Sequence, residues 1–584
     1  MYALGFSRQS DVDRFVATLE RFERGEIDSE AWRGFRLLNG VYGQRQADAY
    51  MQRVKIPQGV LTPSMLRAIA QIARTYGEGR AHLTTRQNIQ LYFLRLEQTE
   101  QAIADLARAG LTTKDACGNS VRNVIANPLA GVDPDEPFDV SPYAEAMTRH
   151  FLAGELSSSL PRKFKIAFEG NTRNVMHAAI NDLSFFAEQG ANGARCFRVL
   201  VGGGTSTLAR SGEVLLEAAP ASEILSIADA VVRVFHREGE RANRKKARIK
   251  WLVKKLGWPE TRRRILEEWE LVKGTRPLAE LTGTEPRIEL AAARVATSPV
   301  AGFEEWRKRS VRRQKQPGLF SVWVTLLLGD LKPVQLEGLA DLVERFALGD
   351  AAREDMLRTS IDQNLVLRSV AEADLPALHA ELVRLALVRL GAGSFADVTS
   401  CAGADTCALA VTASRGMARD LNEYLQHDVG ALGDDASLRG AQIKVSGCPN
   451  GCGQHHVASI SLQGGVRKIG GRALPVYLLS VGGGAHYDAD GKLLGARFAR
   501  LVGKLPARRG REAIARLRQL HAQGAQAGED LDTFLARVPT KQLASELADL
   551  FAIDEHTATA EDFIDMGQSE PFVTVNADED EAAQ

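Results

Sequence analysis

The chain has no excess of charge of either sign: 73 basic residues stand against 73 acidic ones among 584. The molecule as a whole therefore has no electrostatic reason to seek nucleic acid or membrane. Long apolar runs are missing as well. No stretch of about 18 uncharged apolar residues occurs, and residues 1–10 hold no apolar run of signal-peptide length, so a soluble, cytoplasmic protein is expected. There is no P-loop, and Val201-Gly202-Gly203-Gly204 and Val481-Gly482-Gly483-Gly484 lack the G-x-G-x-x-G spacing of a dinucleotide site. Those glycines fit close backbone approach to a large cofactor, or plain turns. Cysteine is scarce, at six residues in the whole chain. Apolar residues are not: they make up 45%, ample for buried cores, and the length calls for two or more domains.

Four of the six cysteines fall into two short groups. Cys401 and Cys407 are separated by five residues, and Cys448 and Cys452 by the three residues Pro449-Asn450-Gly451. Thiolates gathered in this way bind soft metal ions. The gap of five is wider than structural zinc sites use. Disulfides fit poorly, because Cys117 and Cys196 stand alone and a cytosolic chain is kept reduced. An iron–sulfur cluster with four thiolate ligands is the leading reading, although the spacing is neither common ferredoxin pattern; buried or zinc-bound cysteines are the alternatives.

The chain is written twice. Leu61-Thr62-Pro63 followed by an apolar helical stripe, with Thr62 as N-cap, returns 270 positions later as Leu331-Lys332-Pro333. Thr84-Thr85-Arg86-Gln87-Asn88 returns as Ser360-Ile361-Asp362-Gln363-Asn364, Cys117-Gly118-Asn119 as Cys401-Ala402-Gly403, and Val201–Gly204 as Val481–Gly484. Four landmarks in one order at nearly one offset predict an internal duplication. Short β-branched segments alternate with amphipathic helices, as in residues 90–96 followed by 99–109, which predicts mixed α/β layers. Residues 306–318 carry six cations and read as a solvated linker, or as a landing surface for an acidic donor. After Lys541 there is no basic residue, and Asp578-Glu579-Asp580-Glu581 reads as a disordered acidic tail.

With Gly447-Cys448-Pro449-Asn450-Gly451-Cys452-Gly453, the cysteine groups resemble the signature of the sirohaem-containing sulfite and nitrite reductases, and the similarity runs from about Phe35 to about Leu550. The resemblance implies two cofactors: a 4Fe-4S cluster on Cys401, Cys407, Cys448 and Cys452, and sirohaem, with Cys452 as the bridging axial ligand. It also implies an α+β, mixed α/β fold in which two ferredoxin-like half-domains and two α/β domains surround a central cofactor cleft with pseudo-twofold symmetry. The expected division is an N-terminal arm (1–35), a half-domain (36–135), a sirohaem-binding α/β domain (136–300), a basic linker (301–318), a second half-domain (319–392), an iron–sulfur/sirohaem α/β domain (393–550) and an acidic tail (551–584).

By the same resemblance, Arg86, Arg122, Lys163 and Lys165 form the catalytic cations. Arg86, Arg122, Arg162, Gln87, Asn123 and Asn450 contact the cofactor together with Cys452. A strand would put Lys163 and Lys165 on one face. The second copy has Asp362 where the first has Arg86, so only one half keeps the cation, and Asn123 replaces the counterpart of Cys407, so only one half can hold a cluster. Residues 237–255 carry nine further cations after an apolar helical stripe, a pattern that fits sirohaem carboxylates or a solvated face. His455 and His456 read as structural or hydrogen-bonding. The implied activity is reduction of sulfite to sulfide in assimilatory metabolism. Reduction of nitrite to ammonia is the alternative; nitrite reducers often carry Asn where this chain has Lys165. With no flavin or nicotinamide fingerprint, electrons come from a separate protein, a ferredoxin or an NADPH-dependent flavoprotein. A cluster-bearing electron carrier or sensor and a zinc-stapled scaffold are the rival readings.

Overall fold

In a computed structural model of the chain, residues 5–574 are described, except 155, 172, 174, 191, 192, 276, 277 and 279–297. Thr62 caps the helix Pro63–Thr75 by accepting a hydrogen bond from the Met65 N–H, and Pro63 opens it without a donor to lose. Its repeat is the helix Pro333–Phe346. The two helices lie against each other, with Leu66, Ile69, Leu336 and Leu339 in one core, and Arg67 and Arg74 paired to Asp341, Glu344 and Glu337 on the solvent side.

Each helix belongs to a five-stranded antiparallel sheet. The first runs Val41–Gly43, Tyr50–Val54, Ile89–Leu94, Ala81–Leu83, Asp330–Leu331. The second runs Val311–Arg313, Leu319–Val324, Leu365–Ala371, Leu357–Thr359, Val60–Leu61. The fifth strand of each comes from the other copy: Leu331 pairs with Ala81, and Leu61 with Leu357. This exchange closes one edge of each sheet and fuses the half-domains into a single core.

Two further five-stranded sheets share one topology, and Gly484–Tyr487 with Leu493–Arg497 form a small two-stranded sheet. Ile125–Ala126, Ile166–Glu169 and Leu183–Gln189 pair in parallel, and Arg195–Val201 and Glu213–Pro220 add antiparallel strands. Thr399–Ser400, Ile443–Ser446, Ile460–Ile469, Arg472–Val481 and Arg500–Pro506 repeat the pattern. The molecule is thus a duplicated α+β structure. The glycine-rich stretches recur where two backbones touch. A Cβ on Gly203 would stand 2.2 Å from Ala179 O, and one on Gly483 would stand 2.5 Å from Ala458 O, so it is protein backbone that crowds them.

Two segments differ from expectation. Residues 301–318 are not a solvated linker: they hold the helix Phe303–Ser310, with Phe303 and Trp306 buried, and the edge strand Val311–Arg313. Phe303 and Trp306 face the core, and Lys308, Arg312 and Arg313 after them are exposed. Residues 551–574 are not a loose tail either. Ile553 and Phe563 pack against Ile469, Leu474 and Val476, and Asp565 is buried. The acidic group Asp578–Glu581 lies outside the described residues. At the other end, the helices Gln9–Glu23 and Ser29–Leu38 bury Phe15, Leu19 and Trp32 against Ile103.

Candidate functional site

Thr399–Ser400 and Ile443–Ser446 are neighbouring parallel strands, so the loops leaving their C-terminal ends meet. Cys401 and Cys407 lie on one of these loops, and Cys448 and Cys452 on the other. Cys401 N–H donates to Val445 O at 3.3 Å, and the Gly447 N–H donates to Cys401 Sγ at 3.3 Å. All four sulfurs line one cleft, which encloses about 1470 Å³ with its open mouth included. Burial, then the neighbouring thiolates Cys452 and Cys401, pushes Cys407 up to about 12 and raises Cys448 as well. A cationic centre is what would let such thiols ionise together. Among the described residues no three His, Cys, Asp or Glu side chains converge as ligands of one metal ion. Four sulfurs spread over a wall suit a polynuclear cluster better than a single zinc ion.

The first copy lines the same cleft with Arg53, Arg86, Arg122, Lys163 and Lys165. Residues 163–165 are extended, tied by Phe164 N–H to Ser120 O (2.9 Å), Arg122 N–H to Phe164 O (2.8 Å) and Leu183 N–H to Lys165 O (3.1 Å). Phe164 therefore points into the core, and both lysines point to the cleft. Neither ammonium has a hydrogen-bonding partner among the described residues. Burial, only partly opposed by Cys452, lowers Lys163 to about 7; burial and Arg248 hold Lys165 well below its usual range.

The arginines, by contrast, are pinned. Arg86 gives Nη1 to Asn181 Oδ1 (2.8 Å) and Nη2 to Asn123 O (2.7 Å) and Ile166 O (3.1 Å), leaving a buried Nε without partner. Arg122 gives Nε and Nη2 to Gly118 O and Nη1 to Ala116 O. Burial lowers Arg86 to about 9 and Arg122 to about 10. Among the described residues no carboxylate bonds either guanidinium, so both hold fixed positive charge at the wall. Arg86, Lys165 and Cys452 also line a second, adjoining cavity of about 350 Å³.

Asn450 is on the cleft wall, whereas Arg162 is not. Gln87 and Asn123, expected among the cofactor contacts, are likewise off the wall. Their amides are taken by main chain: Gln87 Nε2 donates to Ala126 O and Thr359 O, and Asn123 Nδ2 to Ile56 O and Arg86 O. Cys117 is buried and receives Arg53 Nη1 at 3.2 Å. His455 stacks on His456 and meets Gln463 Oε1 at 3.1 Å. In the second copy, Asp362 forms a buried pair with Lys444 at 2.7 Å, which neutralises the position that Arg86 occupies in the first.

Residues outside the expected set also shape the site. Asp182, fully buried, accepts the Lys165 N–H at 2.8 Å and holds Arg248 through two bonds of 2.9 and 2.7 Å. Lys250 donates to Thr205 O and, at 2.8 Å, to Thr207 O. Arg248 and Lys250 belong to the run 237–255, where their alternation with Ile249 separates them from the exposed cations before them.

A large cleft with four thiols on one side and half-buried lysines and arginines on the other fits an iron–sulfur cluster and a macrocycle rich in carboxylates. Fold and site together define a duplicated metallocluster redox protein acting on a small anion. Comparison with known proteins extends this. The model described as nitrite and sulphite reductase 4Fe-4S domain matches residues 117–273, and the nitrite/sulfite reductase ferredoxin-like half domain matches twice, at 42–109 and 312–385. The ferredoxin–nitrite reductase of Synechococcus elongatus is 31% identical over 450 residues, 75% of this chain and 81% of that protein. The sulfite reductase [ferredoxin] of Mycobacterium tuberculosis is 28% identical over 445 residues, 76% of this chain and 75% of that protein. The solved structure of the Mycobacterium tuberculosis NirA protein superposes with a TM-score of 0.74 at 25% identity, covering 92% of this chain and 98% of that one. The chain belongs to the nitrite and sulfite reductase family, whose members bind sirohaem and a 4Fe-4S cluster. Among the described residues no helix is long and apolar enough to cross a membrane.

Proposed function

We propose that the protein reduces sulfite to sulfide, with electrons from a ferredoxin. Cys401, Cys407, Cys448 and Cys452 would hold the cluster, and Cys452 would also bind the sirohaem iron. When bound, the two groups supply electrons and an open metal position for the anion. Arg86 and Arg122, with their Nη groups bound to backbone and Asn181, contribute fixed charge that offsets the charge of the anion. Lys163 and Lys165 keep their Nζ donors for the substrate. An ammonium lowered to about 7 at Lys163 gives up a proton readily near neutrality, and the open cleft lets water restore it.

The observation that carries the sulfite reading is Lys165, a second lysine lining the cleft beside Lys163, where nitrite reducers of the family often have Asn. Two neighbouring lysine amines that can each bind and release a proton suit an anion that must lose three oxygens. The names of several relatives favour the second reading, nitrite to ammonia; the ferredoxin in those names supports the donor. Steady-state kinetics with both anions and reduced ferredoxin test the proposal: the specificity constant for sulfite should exceed that for nitrite, and the reverse order would assign nitrite.

A further inference from the structure

Cys452 is the exposed member of its group; Cys448 is buried and the other two are half-buried. Its loop is tied to the first copy by a reciprocal contact. Thr85 Oγ donates to Cys452 O at 2.7 Å, and Gln454 Nε2 donates back to Thr85 O at 3.1 Å. Lys444 supports this clamp from behind: its Nζ lies 3.5 Å from Gln454 Oε1 and 2.7 Å from Asp362 Oδ1, with the side chain fully buried. Thr85 immediately precedes Arg86, whose guanidinium is pinned to Asn181, Asn123 and Ile166. Thr85, Arg86, Lys165 and Cys452 are all shared by the two cavities.

We propose that Thr85 is a positioning residue for Cys452, fixing the sulfur-bearing loop of the second copy against the cation-bearing loop of the first. The inference rests on the reading of Cys452 as the ligand common to both cofactors. A backbone hydrogen bond from a hydroxyl has no charge to contribute, so its effect is on where the sulfur stands relative to Arg86 and Lys165. Loss of the hydroxyl frees an exposed loop whose other local ties are few: the Gly453 N–H to Ser446 Oγ and the Gln454 N–H to Gly451 O. If Thr85 merely glued two domains together, its removal would lower stability and leave the metal centre unchanged.

The test uses holoenzyme of Thr85→Val, which keeps the shape and removes the hydroxyl, of Thr85→Ser, which keeps it, and of Gln454→Leu, which removes the return contact. Iron and sirohaem contents are measured first, then the electron paramagnetic resonance spectrum of the oxidised haem and the dissociation constant of cyanide as a probe anion. Thr85→Val and Gln454→Leu should alter the haem signal and weaken cyanide about fivefold to tenfold, the size expected from one hydrogen bond. Thr85→Ser should match the native protein. A native signal and cyanide affinity in Thr85→Val, or a Thr85→Ser as impaired as Thr85→Val, overturns the proposal; if Thr85→Val does not load its cofactors, Gln454→Leu decides on the same two readouts. The assignment of Cys452 is judged separately: Cys452→Ser that retains magnetic coupling between haem and cluster would remove it, whatever Thr85→Val does.

Discussion

Gln87 and Gln363 cross between the copies in opposite directions. Gln87 Nε2 donates to Thr359 O at 2.7 Å, and Gln363 Nε2 donates to Leu83 O at 3.0 Å. Each also accepts a backbone N–H from its own copy, Ala126 for Gln87 and Ser400 for Gln363. Thr359 and Leu83 are themselves counterparts, so the two bonds are one contact made twice about the pseudo-twofold axis. Gly59 and Gly329 follow the same rule. Both have positive φ, and a Cβ at either would stand within 3 Å of a carbonyl oxygen of the other copy and of the glutamine of its own. The motif that supplies Arg86 to the cleft therefore supplies, one residue later, the bolt that joins the halves.

Replacing Gln87 with Leu keeps the volume and strands the Ala126 N–H and three carbonyl oxygens in a fully buried site. The expected loss is about 2–4 kcal/mol of unfolding free energy, read from urea denaturation. Gln363→Leu should cost a similar amount. A loss below about 0.5 kcal/mol in both would mean that neither bolt bears on stability.

Lys165→Met should retain iron and sirohaem and lower kcat/KM for sulfite by about a hundredfold, the lower range for loss of a proton donor. Lys165→Asn should lose sulfite activity in the same way while retaining more of its nitrite activity. Equal losses on both anions would detach Lys165 from substrate choice. Colorimetric sulfide and ammonia assays on one preparation give the comparison.

The duplication was legible because turn chemistry leaves local marks: Pro63 and Pro333 open helices, and glycines recur where backbones touch. The strand exchange was not, since Val60–Leu61 and Asp330–Leu331 are two residues long and show no period. Within the first-copy motif, sequence could not separate Arg86, which reaches the cleft, from Gln87, which has φ of 52° and turns inward. Arg248 and Lys250 were hidden among the cations around them, and Asp182 was a lone acid with no partner in the local pattern. The ordered part of the tail was missed because Ile553 and Phe563 are too far apart to form a stripe.

Glu169 makes stability depend on pH. It is fully buried, with Oε2 accepting the Met176 N–H at 2.8 Å and Oε1 without a hydrogen-bond partner among the described residues, and burial raises it from 4.5 to about 8. Between those values the folded chain holds a proton that the unfolded chain has released. Stability from this group is therefore present at low pH and lost as pH rises toward 8. Glu169→Gln, neutral throughout, should flatten that slope and exceed the native protein at pH 8 by up to about 4 kcal/mol. Urea unfolding at pH 6 and pH 8 measures the difference; a parallel offset at both values would assign the shift to another group.

Asp565 ties the C-terminal segment to the cluster loop. Its Oδ2 accepts the Ala413 N–H at 2.7 Å, just before the helix Ser414–Gln426 that begins beyond Cys407, and its Oδ1 accepts the Met566 N–H. Gly416 admits the following turn so closely that a Cβ there would overlap Met566 O. The Ser414 hydroxyl donates to Cys401 O, and its oxygen stands 3.3 Å from Cys401 Sγ, so a movement of this helix start reaches the cluster wall through two contacts. Asp565→Ala leaves the buried Ala413 N–H unpaired and should cost about 1–3 kcal/mol. It should also speed the loss of iron on exposure to oxygen, followed by the decay of the cluster absorbance, while Glu570→Ala, on the exposed part of the segment, should change neither. Equal iron retention in native and Asp565→Ala protein would show that the segment stabilises the fold without shielding the cluster.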